Sequence, residues 1–181
     1  MNDKLDFNLL EKNATKYLFD SEGKELHYYW LFNENGIETK ISGNKKQGFY
    51  MRQTPPPPAF FKYYKEYYPN GNLKVKGKSM GGGATRVGKW EYYNENGELT
   101  SVKNEEKKFG KFGYNELLFF LHQQGHINIE TGENRENAEF GYNSETKRWG
   151  VHVFGKHIFT EYVIDGKSGE IIKKEENEIT M

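Results

Sequence analysis

The chain contains no cysteine, has few aliphatic side chains and nowhere runs apolar for long. Each shortage removes a class of protein. Without cysteine there is no disulfide scaffold, no thiolate zinc site and no cysteine nucleophile. No stretch approaches the roughly 18 apolar residues of a membrane-spanning helix. The opening residues, Met1-Asn2-Asp3-Lys4-Leu5-Asp6, are polar and acidic, where a secretory leader would be basic and then apolar. The expectation is a cytoplasmic protein with no membrane partner.

What is abundant points to β-structure. Among 181 residues are 13 Tyr, 13 Phe, 3 Trp and 20 Gly. A core this aromatic suits pleated, half-buried surfaces, and frequent glycine fits many tight turns. A chain of this length can bury roughly 70% of its unfolded surface and folds without covalent staples. Net charge is zero, but residues 39–90 carry 11 basic side chains against the single acid Glu66. Interleaved strands can cancel that imbalance locally, or it can form a basic face for an acidic partner.

Internal repetition organises the first half. Aromatic residues, a polar turn ending in glycine, then a short alternation recur at Tyr28-Tyr29-Trp30-Leu31-Phe32-Asn33-Glu34-Asn35-Gly36-Ile37, at Tyr67-Tyr68-Pro69-Asn70-Gly71-Asn72-Leu73-Lys74-Val75, and at Trp90-Glu91-Tyr92-Tyr93-Asn94-Glu95-Asn96-Gly97-Glu98-Leu99. A weaker echo spans Tyr17 to Leu26. Asn-Gly at a hairpin apex accommodates positive φ, and the alternating flanks send one row of side chains inward. Leu73 with Val75, or Ile37 with Ile41, would form that buried row. Single hairpins cannot bury a face, so adjacent units must join into one sheet. Four prolines, Pro55 to Pro58, interrupt the rhythm as a stiff surface connection. A glycine loop, Ser79 to Arg86, separates the second and third units. It lacks the strand and Gly-Lys-Ser/Thr context of a phosphate loop.

The pattern changes beyond residue 104. Tyr114, Leu117, Leu118 and Leu121 stand at i, i+3, i+4 and i+7, which predicts a helix opened at Gly113 or Asn115 and closed by Gly125. Strands are expected at Ile127–Glu130, Glu139–Tyr142, Trp149–Phe154, Phe159–Ile164 and Glu170–Lys173, with the charged tail from Lys174 fraying. A weaker helix is expected over Phe7–Lys16. The fold class is mainly β (α+β): an antiparallel meander of repeated hairpins over 1–104, then a helix packed on a small antiparallel sheet over 105–181.

The segments around Tyr67-Tyr68-Pro69-Asn70-Gly71 and Trp90 to Leu99 resemble the MORN-variant repeats of YwqK-type bacterial proteins, over about residues 17–103. The C-terminal helix followed by Trp149-Gly150-Val151 and Ile164-Asp165-Gly166-Lys167-Ser168-Gly169 is faintly similar to a PepSY-like module. The first resemblance implies an antitoxin or immunity protein, which binds a cognate toxin of a type VI or polymorphic system. Both imply binding or inhibition in place of catalysis.

The residues give no opposing chemistry. His122 and His126 lie four apart, but Gly125 breaks the helix between them and no carboxylate completes a metal motif. No Gly-x-Ser-x-Gly elbow is present, and the paired acids lie in solvated runs. No cofactor, metal or catalytic residue is expected, and the protein is read as a non-enzyme. Interfaces favour Trp, Tyr and Arg, so partner-binding candidates are Arg52, Phe60, Phe61, Tyr63, Tyr64, Arg86 and Trp90. The loops around the prolines and Gly81–Gly83 join them. For the tyrosines and Trp90, packing within the sheet is the competing explanation. The alternative function is a structural scaffold or a nucleic-acid binder, since lysines interleave with Phe60, Phe61, Tyr63, Tyr64, Tyr67 and Tyr68. Against nucleic acid stand the neutral balance and the absence of any recognised motif.

Overall fold

A computed structural model describes residues 3–18, 25–80 and 85–178. Its elements are α1 (Phe7–Asn13), β1 (Thr15–Leu18), β2 (Leu26–Glu34), β3 (Ile37–Asn44), β4 (Gly48–Thr54), β5 (Phe61–Tyr67), β6 (Leu73–Met80), β7 (Thr85–Tyr93), β8 (Leu99–Asn104), α2 (Tyr114–Gln123), β9 (Ala138–Asn143), β10 (Arg148–Phe154), β11 (Ile158–Asp165) and β12 (Ile171–Glu178). The protein is mainly β: β1 to β8 form an antiparallel meander in sequence order, and a second sheet runs β12-β11-β10-β9.

The chain divides into two compact units that are not contiguous in sequence. The first comprises Met1–Pro56, Lys62–Lys78 and Lys89–Lys103; the second comprises Pro57–Phe61, Ser79–Gly88 and Asn104–Met181.

In the first unit the turns are made by the expected residues. Asn35 and Gly36 both have positive φ, 51° and 79°, the geometry that matches strand twist in a two-residue hairpin. Gly71 and Gly97 also take positive φ, 83° and 85°, in longer turns where their amides donate to the Tyr68 and Asn94 carbonyls. Strand register puts Tyr28, Trp30 and Phe32 of β2 on one side of the sheet with Ile41 of β3 and Phe49 and Met51 of β4. Helix α1 covers that side: Leu10 is fully buried, and Phe7 meets Phe49 edge-on at 5.6 Å. The helix starts where the Asp6 carboxylate accepts from the Leu9 amide at 3.0 Å. It stops at Asn13, short of the expected Lys16, because Ala14 is extended and β1 pairs with β2 from Thr15 onward. Leu73, Val75 and Ile41 are buried as anticipated, whereas Ile37 is only half-buried.

In the second unit Leu117 and Leu121 of α2 are fully buried in a cluster with Phe140, Trp149, Val151, Tyr162 and Ile164, one side of the four-stranded sheet. Gly113 caps α2, its amide donating to the Glu116 carboxylate at 2.9 Å. Met80 and Val87 join the same cluster.

Three further expectations fail for identifiable reasons. Ile127–Glu130 is a turn, because the Asn128 side chain accepts from the amides of Glu130 and Thr131 while Gly132 folds back onto the Asn128 carbonyl. The tail does not fray from Lys174, since β12 pairs with β11 as far as Glu178. Ser79 and Met80 end β6 and Thr85 and Arg86 begin β7, so the glycine loop is shorter than read, and Gly81–Gly83 lie outside the described residues.

Candidate functional site

The side of β2–β5 opposite α1 is the most distinctive surface of the first unit. In an antiparallel ladder, directly opposed residues project to the same side. Register therefore builds one continuous row, Leu31–Lys40–Arg52–Tyr64, across four strands. The neighbouring row is Tyr29–Ser42–Tyr50–Glu66. Two cations are thus framed by three tyrosines and a leucine that is 51% exposed.

Local contacts hold this surface in shape. The Lys40 ammonium lies 5.1 Å from the Tyr29 ring centroid, a cation–π contact that orients the lysine without neutralising it. Tyr64 donates from its hydroxyl to Glu66 at 2.9 Å, and Lys74 pairs with Glu66 at 3.3 Å. The one acid of the two rows is thereby committed to the first unit's own partners. His27 Nε2 and the Ser42 hydroxyl lie 3.0 Å apart beside the second row. Arg52 is half-buried, and no ion pair with it is seen among the described residues. A tethered cation beside aromatic rings can take a carboxylate or a phosphate.

Of the seven residues nominated from sequence, register brings Arg52 and Tyr64 together as direct cross-strand neighbours. Tyr63 stands on the other side of β5, 40% exposed, with Lys78 5.6 Å from its ring centroid. Phe60 and Phe61 belong to the second unit and pack against its core cluster. Arg86 is half-buried in β7, in the second unit. Trp90 is not a surface residue: it is 2% exposed, donates from its indole to the Lys78 carbonyl at 3.0 Å, and lies against Gly77, where any Cβ would collide with the ring. Burial in the sheet accounts for that tryptophan. The proline connection is also tied down, with the Arg135 guanidinium donating to the Ala59 carbonyl at 2.8 Å and Gly132 against Pro57 and Pro58.

Sequence reasoning missed Tyr29, Leu31, Lys40 and Tyr50. Their signal was the i, i+2 spacing within each strand, which becomes a patch only once the strand register is known. Among the described residues no helix is long and apolar enough to cross a membrane, and no group of three or more His, Asp or Glu is placed to hold a metal ion. No family model, curated protein or solved structure matches the chain.

Proposed function

We propose that this chain is an immunity protein: it binds a cognate bacterial toxin through the Lys40–Arg52–Tyr64 surface and blocks the toxin's active site or substrate path. The observation that carries the reading is the row of cations and tyrosines across β2–β5, which offers an acidic protein surface both charge and aromatic anchors. The likeness of the hairpins to MORN-variant repeats supplies the toxin as the partner's class. Residues on rigid strands present such anchors at low entropic cost, and the two cations would speed encounter with an acidic target.

The test is co-expression with the product of a neighbouring gene that carries a toxin domain. The native chain is expected to rescue growth, and the double reversal Lys40→Glu with Arg52→Glu to lose rescue while keeping its circular dichroism and melting temperature. Failure of the native chain to rescue sinks the proposal; rescue by the reversed variant moves the interface elsewhere.

A second reading, single-stranded nucleic acid, is favoured by the same interleaving of Tyr29, Tyr50 and Tyr64 with cations. Salt-dependent retention on single-stranded DNA or RNA supports it, and no retention at low salt removes it.

A further inference from the structure

Among the described residues the two sheets end in four edge strands, β1 and β8 in the first, β9 and β12 in the second. An edge presents backbone donors and acceptors with no partner on one side, and folded proteins usually block it. Three of these edges are blocked. β1 is four residues long and carries Lys16. On β9 the Phe140 carbonyl accepts from the Thr85 hydroxyl at 3.3 Å. β12 carries Lys173-Lys174-Glu175-Glu176 through its middle. β8 has a single charge, Lys103, near its end. Its residues Leu99-Thr100-Ser101-Val102-Lys103 alternate between the two faces and all are exposed, Leu99 at 55% and Val102 at 50%. The β7–β8 turn repeats the hydrogen bonds of the β5–β6 turn, which makes Leu99 the counterpart of the buried Leu73.

Symmetry separates the edges that can accept a second copy from those that cannot. When two copies of a strand pair antiparallel about a two-fold axis, the axis stands normal to the sheet and each side chain keeps its face. Opposed residues share a face, so one residue always meets its own copy. On β12 every register that pairs more than the strand's ends sets Lys173, Lys174, Glu175 or Glu176 against itself, and like charges directly opposed repel. On β8 the register about Ser101 sets Leu99 against Lys103 and Thr100 against Val102, twice each, with Glu98 against Asn104. No like charges meet. β-branched pairs line one face, and on the other the lysine stem covers the exposed leucine.

We propose that β8 is a dimerisation edge: it pairs antiparallel with β8 of a second copy about a two-fold axis at Ser101, joining two meanders into one continuous sheet. A single strand pair buries less than the roughly 1,200 Å² of a standard interface, so the dimer is weak, with a Kd in the micromolar range. β6 and β7 stand between this edge and β5. The pairing therefore leaves the Lys40–Arg52–Tyr64 surface uncovered, and the dimer does not depend on what that surface binds.

Sedimentation velocity of the full chain over about 1–300 μM should show monomer giving way to dimer. The sequence holds no cysteine, so Ser101→Cys introduces a lone thiol. Directly opposed residues stand about 4.5–5.5 Å apart at Cα, within disulfide reach. With diamide as oxidant, two such thiols give up two protons and two electrons, and Ser101→Cys should link into covalent dimers. The two copies of Leu99 lie about 14 Å apart along the ladder, so Leu99→Cys should link roughly tenfold more slowly. Ser101→Lys sets two lysines against each other and should abolish the dimer, while the melting temperature of the monomer stays unchanged because the position is exposed. A chain that remains monomeric at every concentration would overturn the proposal, leaving the edge to another protein or to solvent. So would equal linking of the two cysteine variants, or a Ser101→Lys variant that dimerises like the native chain.

Discussion

In the first unit tyrosines finish on polar partners. Tyr28 donates to Glu11 at 2.6 Å, Tyr64 to Glu66 at 2.9 Å, Tyr93 to Glu91, and Tyr68 to the Tyr93 carbonyl at 2.9 Å. In the second unit rings mainly meet other rings. Phe109 stacks on Trp149 at 5.0 Å and meets Tyr142 edge-on at 4.9 Å, while Phe120 meets Tyr162 edge-on at 5.5 Å. The difference follows from how each sheet is covered. Among the described residues one seven-residue helix lies over one side of the first unit's broad meander, so its rings are often half-buried and need a hydroxyl to end in water or on a carboxylate. The four-stranded sheet has one side closed by α2 and the segments flanking it, and rings there can be sealed in. Charge should therefore matter to the first unit, and volume to the second.

The strongest way to break the comparison is to remove volume where packing is tightest. Trp149 is fully buried, stacks on Phe109 and donates from its indole to the Phe112 carbonyl at 2.9 Å. Trp149→Ala is expected to cost about 3–5 kcal/mol, combining lost transfer energy, a cavity and an orphaned carbonyl. Urea unfolding followed by tryptophan fluorescence and by circular dichroism checks it. A loss below about 1 kcal/mol, the range of an ordinary surface change, would mean the second unit is not held by its rings.

The charge side of the comparison is read by pH. Lys16, at 2.6 Å, and then Lys45, at 2.8 Å, hold the Glu11 carboxylate, and Tyr28 adds a hydrogen bond, which together bring its pKa from 4.5 down to about 2. A carboxylate with a depressed folded pKa contributes stability that is fully present above its unfolded value. That contribution is lost as pH falls from about 4.5 through about 2. Glu11→Gln should lower the melting temperature at pH 7, and the difference should shrink steadily as pH falls from about 4.5 toward 2. Parallel melting curves of the two proteins across that interval would instead show that the Glu11 cluster is indifferent to folding.

The contrast was partly legible in the sequence. Asn35-Gly36, Gly71 and Gly97 announced three hairpins because only a few residue types take those backbone angles. The period of Leu117 and Leu121 announced α2. Strand β4 was not legible, because Tyr50 and Arg52 on its outer side obscure the alternation of Phe49 and Met51. Its turn also lacks Asn-Gly: the Asn44 side chain makes it by accepting from the Lys46 and Gln47 amides at 3.0 and 2.7 Å. The candidate surface depends on that missed strand. Arg52 and Tyr64 were named one by one, but their adjacency is a property of register, which links residues 12 apart in sequence. Trp90 was misplaced because a preference of interfaces for tryptophan carries no information about burial.

The smallest effect distinguishes the turns of the two units. The first unit places asparagine and glycine at its positive-φ positions, whereas the β9–β10 turn of the second unit places Lys147 there, at φ 57°. A side chain with a Cβ in that region is strained by roughly 1–2 kcal/mol. Lys147→Gly relieves the strain but gives the unfolded chain more freedom, which offsets about 0.5–1 kcal/mol. The Lys147 carbonyl keeps its bond from the Gly166 amide at 2.8 Å in either case. A net gain of about 0.5 kcal/mol is expected, measured as a shifted urea midpoint with an unchanged slope. The same substitution at Asn35 should gain less, since asparagine already tolerates the left-handed region. If Lys147→Gly proves destabilising, the strain is not there to relieve, and the two sets of turns are equally well fitted to their sheets.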